Sequence, residues 1–216
     1  MKNIAVIPLR TKSARLKDKN FFDISGVPLF GISAQIAKES KVFSEVIIAI
    51  DRPEMISDYC KANKLKIFER SKKSASSSAS TEEVLMEIIK SKKYNSDWLT
   101  IIQATCPFQQ VHYFKELKKK IGQKNYNSVI TRIKFKRFFI DQVIKKSFRR
   151  ERTQDMKLDY LETGLFWSFK TSEFLTIKNR IINPVGFIDI KKGDDLDIDD
   201  EEDLKLALPR LKNFIE

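Results

Sequence analysis

The chain is short of cysteine, histidine and long apolar runs, and each shortage removes a class of explanation. Only Cys60 and Cys106 occur in 216 residues, far apart and in unlike contexts, which argues against a disulfide framework and a zinc site. Both thiols are expected to be reduced. His112 is the single histidine; it stands in a lysine-rich helical pattern with no cysteine or acidic cluster around it. A surface or packing role is therefore expected of it rather than general base or metal ligand. No apolar run approaches the roughly 20 residues of a membrane span. The first residues also lack the basic segment, apolar core and small-residue cleavage site of a secretory signal. The expected location is the cytoplasm, with no membrane partner.

What is plentiful is positive charge. Lys and Arg number 41 against 29 Asp and Glu, a formal net charge of +12. Such an excess invites a nucleic-acid reading, because a basic surface releases counterions when it neutralises phosphates. Its distribution points elsewhere: nine Lys/Arg face two acids between Arg132 and Arg152, while nine acids face two lysines between Asp189 and Asp203. Charge separated into opposed blocks suits a solvated face or an anionic small substrate better than a nucleic acid. With 42% hydrophobic and 32% charged residues, residues 1–216 make one well-buried α/β domain.

The chain is organised around Ile4-Ala5-Val6-Ile7, an apolar run with three β-branched residues that reads as a strand covered on both faces. Just past it, Arg10, Lys12, Arg15, Lys17 and Lys19 collect positive charge. In open α/β sheets that edge is where ligands bind. Asp23 to Pro28 supplies a turn, and Leu29, Ile32, Ile36 and Ala37 follow at helical spacing. Glu45–Asp51 is a second strand, Pro53 opens a helix through about Asn63, and Leu65–Phe68 is a short strand. This β-α-β-α-β alternation predicts a mainly parallel sheet with right-handed crossovers.

Ser71 to Ser80 is low in complexity and has the composition of a flexible linker. It runs, however, into a helix start, with Ser80 as N-cap and Glu83 as its capping-box partner. Trp98–Gln103 is the next central strand, which puts Gln103 at a C-terminal end; Ala104 to Phe108 turns into a helix from about Gln110 to Ile121. Then Asn127–Ile133, Arg137–Ile144 and Leu158–Phe169 alternate as paired strands. Residues 132–160, rich in Phe135, Phe138, Phe139 and Phe148, read as an inserted β element that covers the site or carries a partner interface. After a strand over Val185–Ile190 comes a run of acids before a final helix. Acids at a helix start are favoured by its dipole. Asp197 and Asp199 also point the same way on an extended segment, as a pair of hard oxygen ligands suited to Mg²⁺.

Taken in order, these pieces resemble the CMP-N-acylneuraminate cytidylyltransferases, the CMP-sialic acid synthetases. Members of that family open with a strand, an arginine, a Gly/Ser-rich loop and a Lys-Asn pair nine residues beyond the arginine, a spacing that Arg10 and Lys19-Asn20 keep. Their Ala-Ser-Asp-Thr-Ala-Ser segment is similar to Ala75–Ser80, their Gln-Pro-Thr-Ser-Pro turn to Gln103–Pro107, and their Asp-Ile-Asp ending to Asp197-Ile198-Asp199. The resemblance implies a Rossmann-like three-layer αβα sandwich of the nucleotide-diphospho-sugar transferase type. It also implies a homodimer joined through the middle β element and a place in cell-surface polysaccharide biosynthesis.

The implied reaction transfers CMP from CTP to a nonulosonic acid with release of pyrophosphate. Arg10, Lys19 and Asp199 would be catalytic; Arg10, Ser13, Arg15, Lys19, Asn20, Ser80 and Thr81 would bind the nucleotide. Gln103, Thr105, Arg152 and Thr163 would meet the acceptor, and Asp197 and Asp199 would hold Mg²⁺. Three departures stand out: Ala14 replaces a family lysine, Ser77 replaces the acid of the Ala-Ser-Asp segment, and Thr163-Gly164 replaces Asn-Gly. They point toward an acceptor other than N-acetylneuraminate. Two alternatives go with this reading: a CMP-Kdo synthetase, suggested by Ser13-Ala14-Arg15-Leu16, and a fold relative that has lost catalysis and binds nucleotide or RNA.

Overall fold

The computed structural model describes residues 1–11, 15–76, 78–91, 93–140, 144, 152 and 154–215. In chain order its elements begin with β1 (Asn3–Pro8), a small hairpin of β2 (Asp23–Ile24) and β3 (Val27–Pro28), and α1 (Leu29–Glu39). Next come β4 (Glu45–Ile50), α2 (Ser57–Ala62), β5 (Lys66–Glu69), α3 (Thr81–Lys90), β6 (Trp98–Ile102) and α4 (Val111–Gly122). The second half holds β7 (Ser128–Phe135), β8 (Asp159–Lys170), α5 (Thr171–Ile177), β9 (Val185–Asp189) and α6 (Glu201–Ile215).

Seven strands form one sheet in the order β5-β4-β1-β6-β8-β7-β9. All pairings are parallel except the two made by β8. Period-two alternation divides the side chains between two layers. Ala5, Ile7, Ile48 and Ile50 pack with α1, α4 and α6 on one face, and Ile4, Val6, Ile47 and Leu99 pack with α3 and α5 on the other. Ile4 through Ile7 are wholly buried because both faces of the central strand are covered. This is the expected three-layer αβα arrangement with a mainly parallel sheet.

Local signals account for most of the element ends. The β2–β3 hairpin turns through Ser25 at φ 54° and Gly26 at φ 85°, the left-handed pair that a two-residue hairpin needs. The expected helix from Pro53 begins as a 3₁₀ turn over Pro53–Met55 and becomes α-helical over Ser57–Ala62.

Around residues 132–160 the structure departs from expectation. Arg132–Phe135 pairs antiparallel with Asp159–Glu162 after an irregularity at Thr131, so this pairing extends the main sheet. Residues 137–139 belong to no strand, and Ile140 and Ile144 are helical. The pattern of Arg137–Ile144 suggests one of a set of paired strands, but among the described residues no neighbouring strand pairs with it. Phe148 lies outside the described residues.

Candidate active site

A parallel sheet binds ligands where its strand order reverses. Here the chain passes outward from β1 to β4 and β5, then returns to place β6 on the other side of β1. The C-terminal ends of β1 and β6 flank that crevice, and a cleft of about 460 Å³ occupies it. Pro8 and Arg10 line it from β1, Arg70 from the end of β5, Thr81 and Val84 from α3, and Gln103, Ala104 and Thr105 from the end of β6. Arg15, Lys19, Asn20 and Asp199 complete its lining.

Four cations therefore meet in one small space, and each is held. An Arg10 Nη2 hydrogen donates to the Ala79 carbonyl. Lys19 Nζ donates to Asp199 Oδ1 at 2.7 Å and to the Ile198 carbonyl at 3.1 Å. Arg15 Nη2 lies 2.8 Å from Asp199 Oδ2. Burial opposes ionisation of Asp199, but its bonds and charge contacts with Lys19 and Arg15 prevail and hold its carboxyl below the ordinary range. Asn20 is buried, and its Nδ2 donates to the Arg10 carbonyl at 3.2 Å.

The acidic segment is anchored from behind. The Ile198 amide donates to the Thr105 carbonyl at 2.8 Å, tying it to the turn after β6. Gln109, fully buried, donates to the Cys106 and Leu165 carbonyls at 3.2 and 3.0 Å and so fixes the turn to β8. Asp197 Oδ1 is buried without a partner among the described residues. Burial first, then the carboxylates of Asp197 and Asp199, push the nearby Cys106 thiol upward and keep it protonated.

The arrangement suits a polyanion: Arg10, Arg15, Lys19 and Arg70 line the cleft, against the single lining carboxylate of Asp199. A model of the cytidylyltransferase family matches residues 4–190. The chain belongs to that family. The family expected from the ordered motifs is the family found. Among similar proteins, the pseudaminic acid cytidylyltransferase of Campylobacter jejuni is 27% identical over 221 residues, covering 96% of this chain and 95% of that protein. The N-acylneuraminate cytidylyltransferase of Streptococcus agalactiae is 22% identical over 218 residues, and the matched region covers 94% of this chain but 52% of that protein. A solved CMP:2-keto-3-deoxy-manno-octonic acid synthetase complexed with CTP superposes with a TM-score of 0.75, covering 99% of this chain and 100% of that one. Its identity is 14%, so the likeness concerns the fold.

Most residues expected at the cytidylyltransferase site meet in the cleft. Arg10, Arg15, Lys19, Asn20, Thr81, Gln103, Thr105 and Asp199 all line it. Ser80 lies beside it, in a complete capping box: its Oγ accepts from the Glu83 amide at 3.2 Å, and its own amide donates to Glu83 Oε2 at 2.8 Å. Asp197 sits behind the lining. Thr163 and Arg152 are not among the lining residues; the Thr163 hydroxyl donates to Thr131 Oγ1 at 2.9 Å, and exposed Arg152 pairs with Asp155 at 2.7 Å. Ser13, Ala14 and Ser77 lie outside the described residues.

Arg70 escaped the sequence reading. It is 4% exposed, and its Nη1 donates to the Leu9 carbonyl at 2.5 Å, while Nη2 donates to the Ser74 carbonyl. Its Nε is buried with no partner among the described residues. Burial and the adjacent Arg10 charge lower its pKa, opposed by Asp51 and Glu87. The only signal for it was an arginine just past a short strand, Glu69-Arg70. The serine-rich stretch it grips is not a loose linker: Ser74 is 3% exposed and its amide donates to Ser71 Oγ.

Proposed function

We propose that this chain activates a nonulosonic acid by transferring CMP from CTP to its anomeric hydroxyl. The nucleophilic oxygen forms a bond to the α-phosphorus, the bond to the β-phosphate breaks, pyrophosphate leaves, and the hydroxyl proton is lost. The observation that carries this reading is the meeting of Arg10, Arg15, Lys19 and Arg70 with Asp199 in a single cleft at the end of β1. A triphosphate needs that density of cations, with arginine forks for paired oxygens and lysine as a point charge.

Arg10 and Lys19 are assigned to the triphosphate and, with Asp199, to catalysis. Asn20, Ser80, Thr81 and Ser13 are assigned neutral hydrogen bonds to the nucleotide, and Arg15 a charged one. The Ser80 hydroxyl oxygen already accepts from the Glu83 amide and its backbone amide donates to Glu83, so the hydroxyl hydrogen and remaining lone pair are what it has left to offer. Gln103 and Thr105 face the acceptor, and Arg152 and Thr163 test how far the acceptor site extends.

Mg²⁺ fits the acid pair. Asp197 Oδ1 is a buried oxygen without a hydrogen-bond partner among the described residues. No group of three acidic, histidine or cysteine ligands occurs among the described residues. One or two carboxylates completed by phosphate oxygens and water is the usual protein share of a Mg²⁺ site. Asp197 and Asp199 would hold it, and when bound it would supply positive charge that offsets the phosphates and makes the α-phosphorus more electrophilic. Lys19 and Arg15 meanwhile keep Asp199 ionised and oriented.

The Campylobacter relative makes pseudaminic acid the first acceptor to try. Pyrophosphate release from CTP and Mg²⁺ would be measured with pseudaminic, legionaminic and N-acetylneuraminic acids and with the eight-carbon Kdo. Release with a nine-carbon acid is expected; no release with any acceptor overturns the reading. We further assign the enzyme to the cytoplasm as a homodimer through residues 132–160. Exposed Phe139, Ile140, Ile144, Tyr160 and Leu161 supply apolar surface there. A monomeric mass in sedimentation at micromolar concentration would contradict the dimer.

A further inference from the structure

The end of β1 is held by side chains from three distant parts of the chain. Arg70 takes the Leu9 carbonyl, Asn20 takes the Arg10 carbonyl, and Asp51 takes Thr11 twice. The Thr11 amide donates to Asp51 Oδ1 at 3.2 Å, and the Thr11 hydroxyl donates to Oδ2 at 2.7 Å. Asp51 is the first residue past β4, the parallel neighbour of β1. The clip therefore joins two adjacent strand ends, one residue beyond Arg10, which lines the cleft.

A carboxylate beside a cationic cleft repels phosphate unless its oxygens are otherwise engaged. Both oxygens of Asp51 are engaged by Thr11. Burial works against the charge, yet the Thr11 bonds and Arg70 hold the Asp51 carboxyl below its ordinary range, so it stays ionised at neutral pH. Thr11 follows Arg10 directly, and the three holds on Leu9, Arg10 and Thr11 fix successive peptide units. Backbone so constrained presents the Arg10 side chain in one direction.

We propose that Asp51 is a positioning residue of the nucleotide site: by clipping Thr11 it sets how Arg10 meets the triphosphate. This rests on the CTP reading of the cleft.

The test compares wild type with Asp51→Ala, Asp51→Asn, Thr11→Val, Thr11→Ser and the Asp51→Ala/Thr11→Val double variant. Steady-state kinetics, CTP affinity by calorimetry and thermal unfolding are measured on each. An asparagine can keep both contacts, its carbonyl accepting from the Thr11 amide and its NH₂ donating to the Thr11 hydroxyl. Asp51→Ala is expected to raise KM for CTP about tenfold with a smaller change in kcat. Thr11→Val should raise it a few-fold, while Asp51→Asn and Thr11→Ser stay close to wild type, and the double variant is no worse than Asp51→Ala. If Asp51→Asn is as damaging as Asp51→Ala, charge rather than position matters and the proposal fails. It also fails if folded Asp51→Ala binds CTP like wild type, or if the double variant is additively worse. Should Asp51→Ala not fold, the Thr11→Val and Thr11→Ser pair decides, and equal CTP affinity in the two overturns the clip. Wild type that binds CTP but turns over no acceptor counts against the reaction, not the clip; wild type that binds no CTP overturns both.

Discussion

In the parallel half of the sheet, β5-β4-β1-β6, the ends of β5, β1 and β6 supply residues that line the cleft, whereas β8, β7 and β9 contribute none of the described lining. Parallel strands deliver their C-terminal ends, and the loops and helix N-termini that follow them, to one edge. Antiparallel β8 runs the other way and serves the site from underneath: its Leu165 carbonyl receives both the Gln103 amide and the Gln109 side chain. One half lines the cleft and the other carries packing that fixes it. The chain then returns Asp197 and Asp199 to the edge after the last strand.

The sharpest way to break that division is Asp199→Asn. It removes the charge shared by Lys19 and Arg15, and kcat/KM is expected to fall about 10²-fold or more, with the fold intact by circular dichroism. Turnover near the wild-type rate would take Asp199 out of the catalytic set. The complementary change is in β8, where Phe169 is fully buried and stacked on Phe174 at 4.8 Å between ring centres. Phe169→Ala should cost about 3–5 kcal/mol of stability in denaturant titration while KM for CTP at low temperature stays near wild type. A large rise in that KM would mean that the packing half also tunes the site.

A smaller effect separates capping from binding at Ser80. Ser80→Ala is expected to lose about 1 kcal/mol of stability through the cap alone; a tenfold weaker affinity for CTP would add a nucleotide contact to its role. Arg152→Ala should change KM for the acceptor less than about twofold, since an exposed pair such as Arg152–Asp155 contributes little. A tenfold change would extend the acceptor site to this residue.

The smallest effect near neutral pH comes from Cys60, whose thiol burial pushes from 9.0 up to about 11. The neutral thiol is the form the fold prefers. Its contribution to stability is thus complete below pH 9 and is lost as pH rises through about 11. Melting temperature against pH should show this loss in wild type and not in Cys60→Ala. Equal profiles would assign the alkaline loss to other groups.

Much of the site was readable because its residues lie next to strand ends. Arg10, Lys19 and Asn20 follow β1, Gln103 and Thr105 follow β6, and the Ser80–Glu83 capping box declares its helix outright. Arg70 and Asp51 were not readable as site residues. Each sits at the end of a strand with nothing local to distinguish it, and each acts on a partner 61 or 40 residues away. The alternation at Arg137–Ile144 misled for the converse reason: period two describes a strand only where another strand is there to pair with it.

The amino-acid sequence by itself determined the alternation of strand and helix, the covered central strand at Ile4–Ile7, and the gathering of cations just past it. Those are local properties, written in period, branching and charge. Only the tertiary structure decided that β8 runs antiparallel between β6 and β7, that Asp199 answers to Lys19 across 180 residues, and that Arg70 closes the cleft from the far side of β1. Strand order and direction are settled by which faces can be buried together, and burial is a property of the whole chain rather than of any stretch of it.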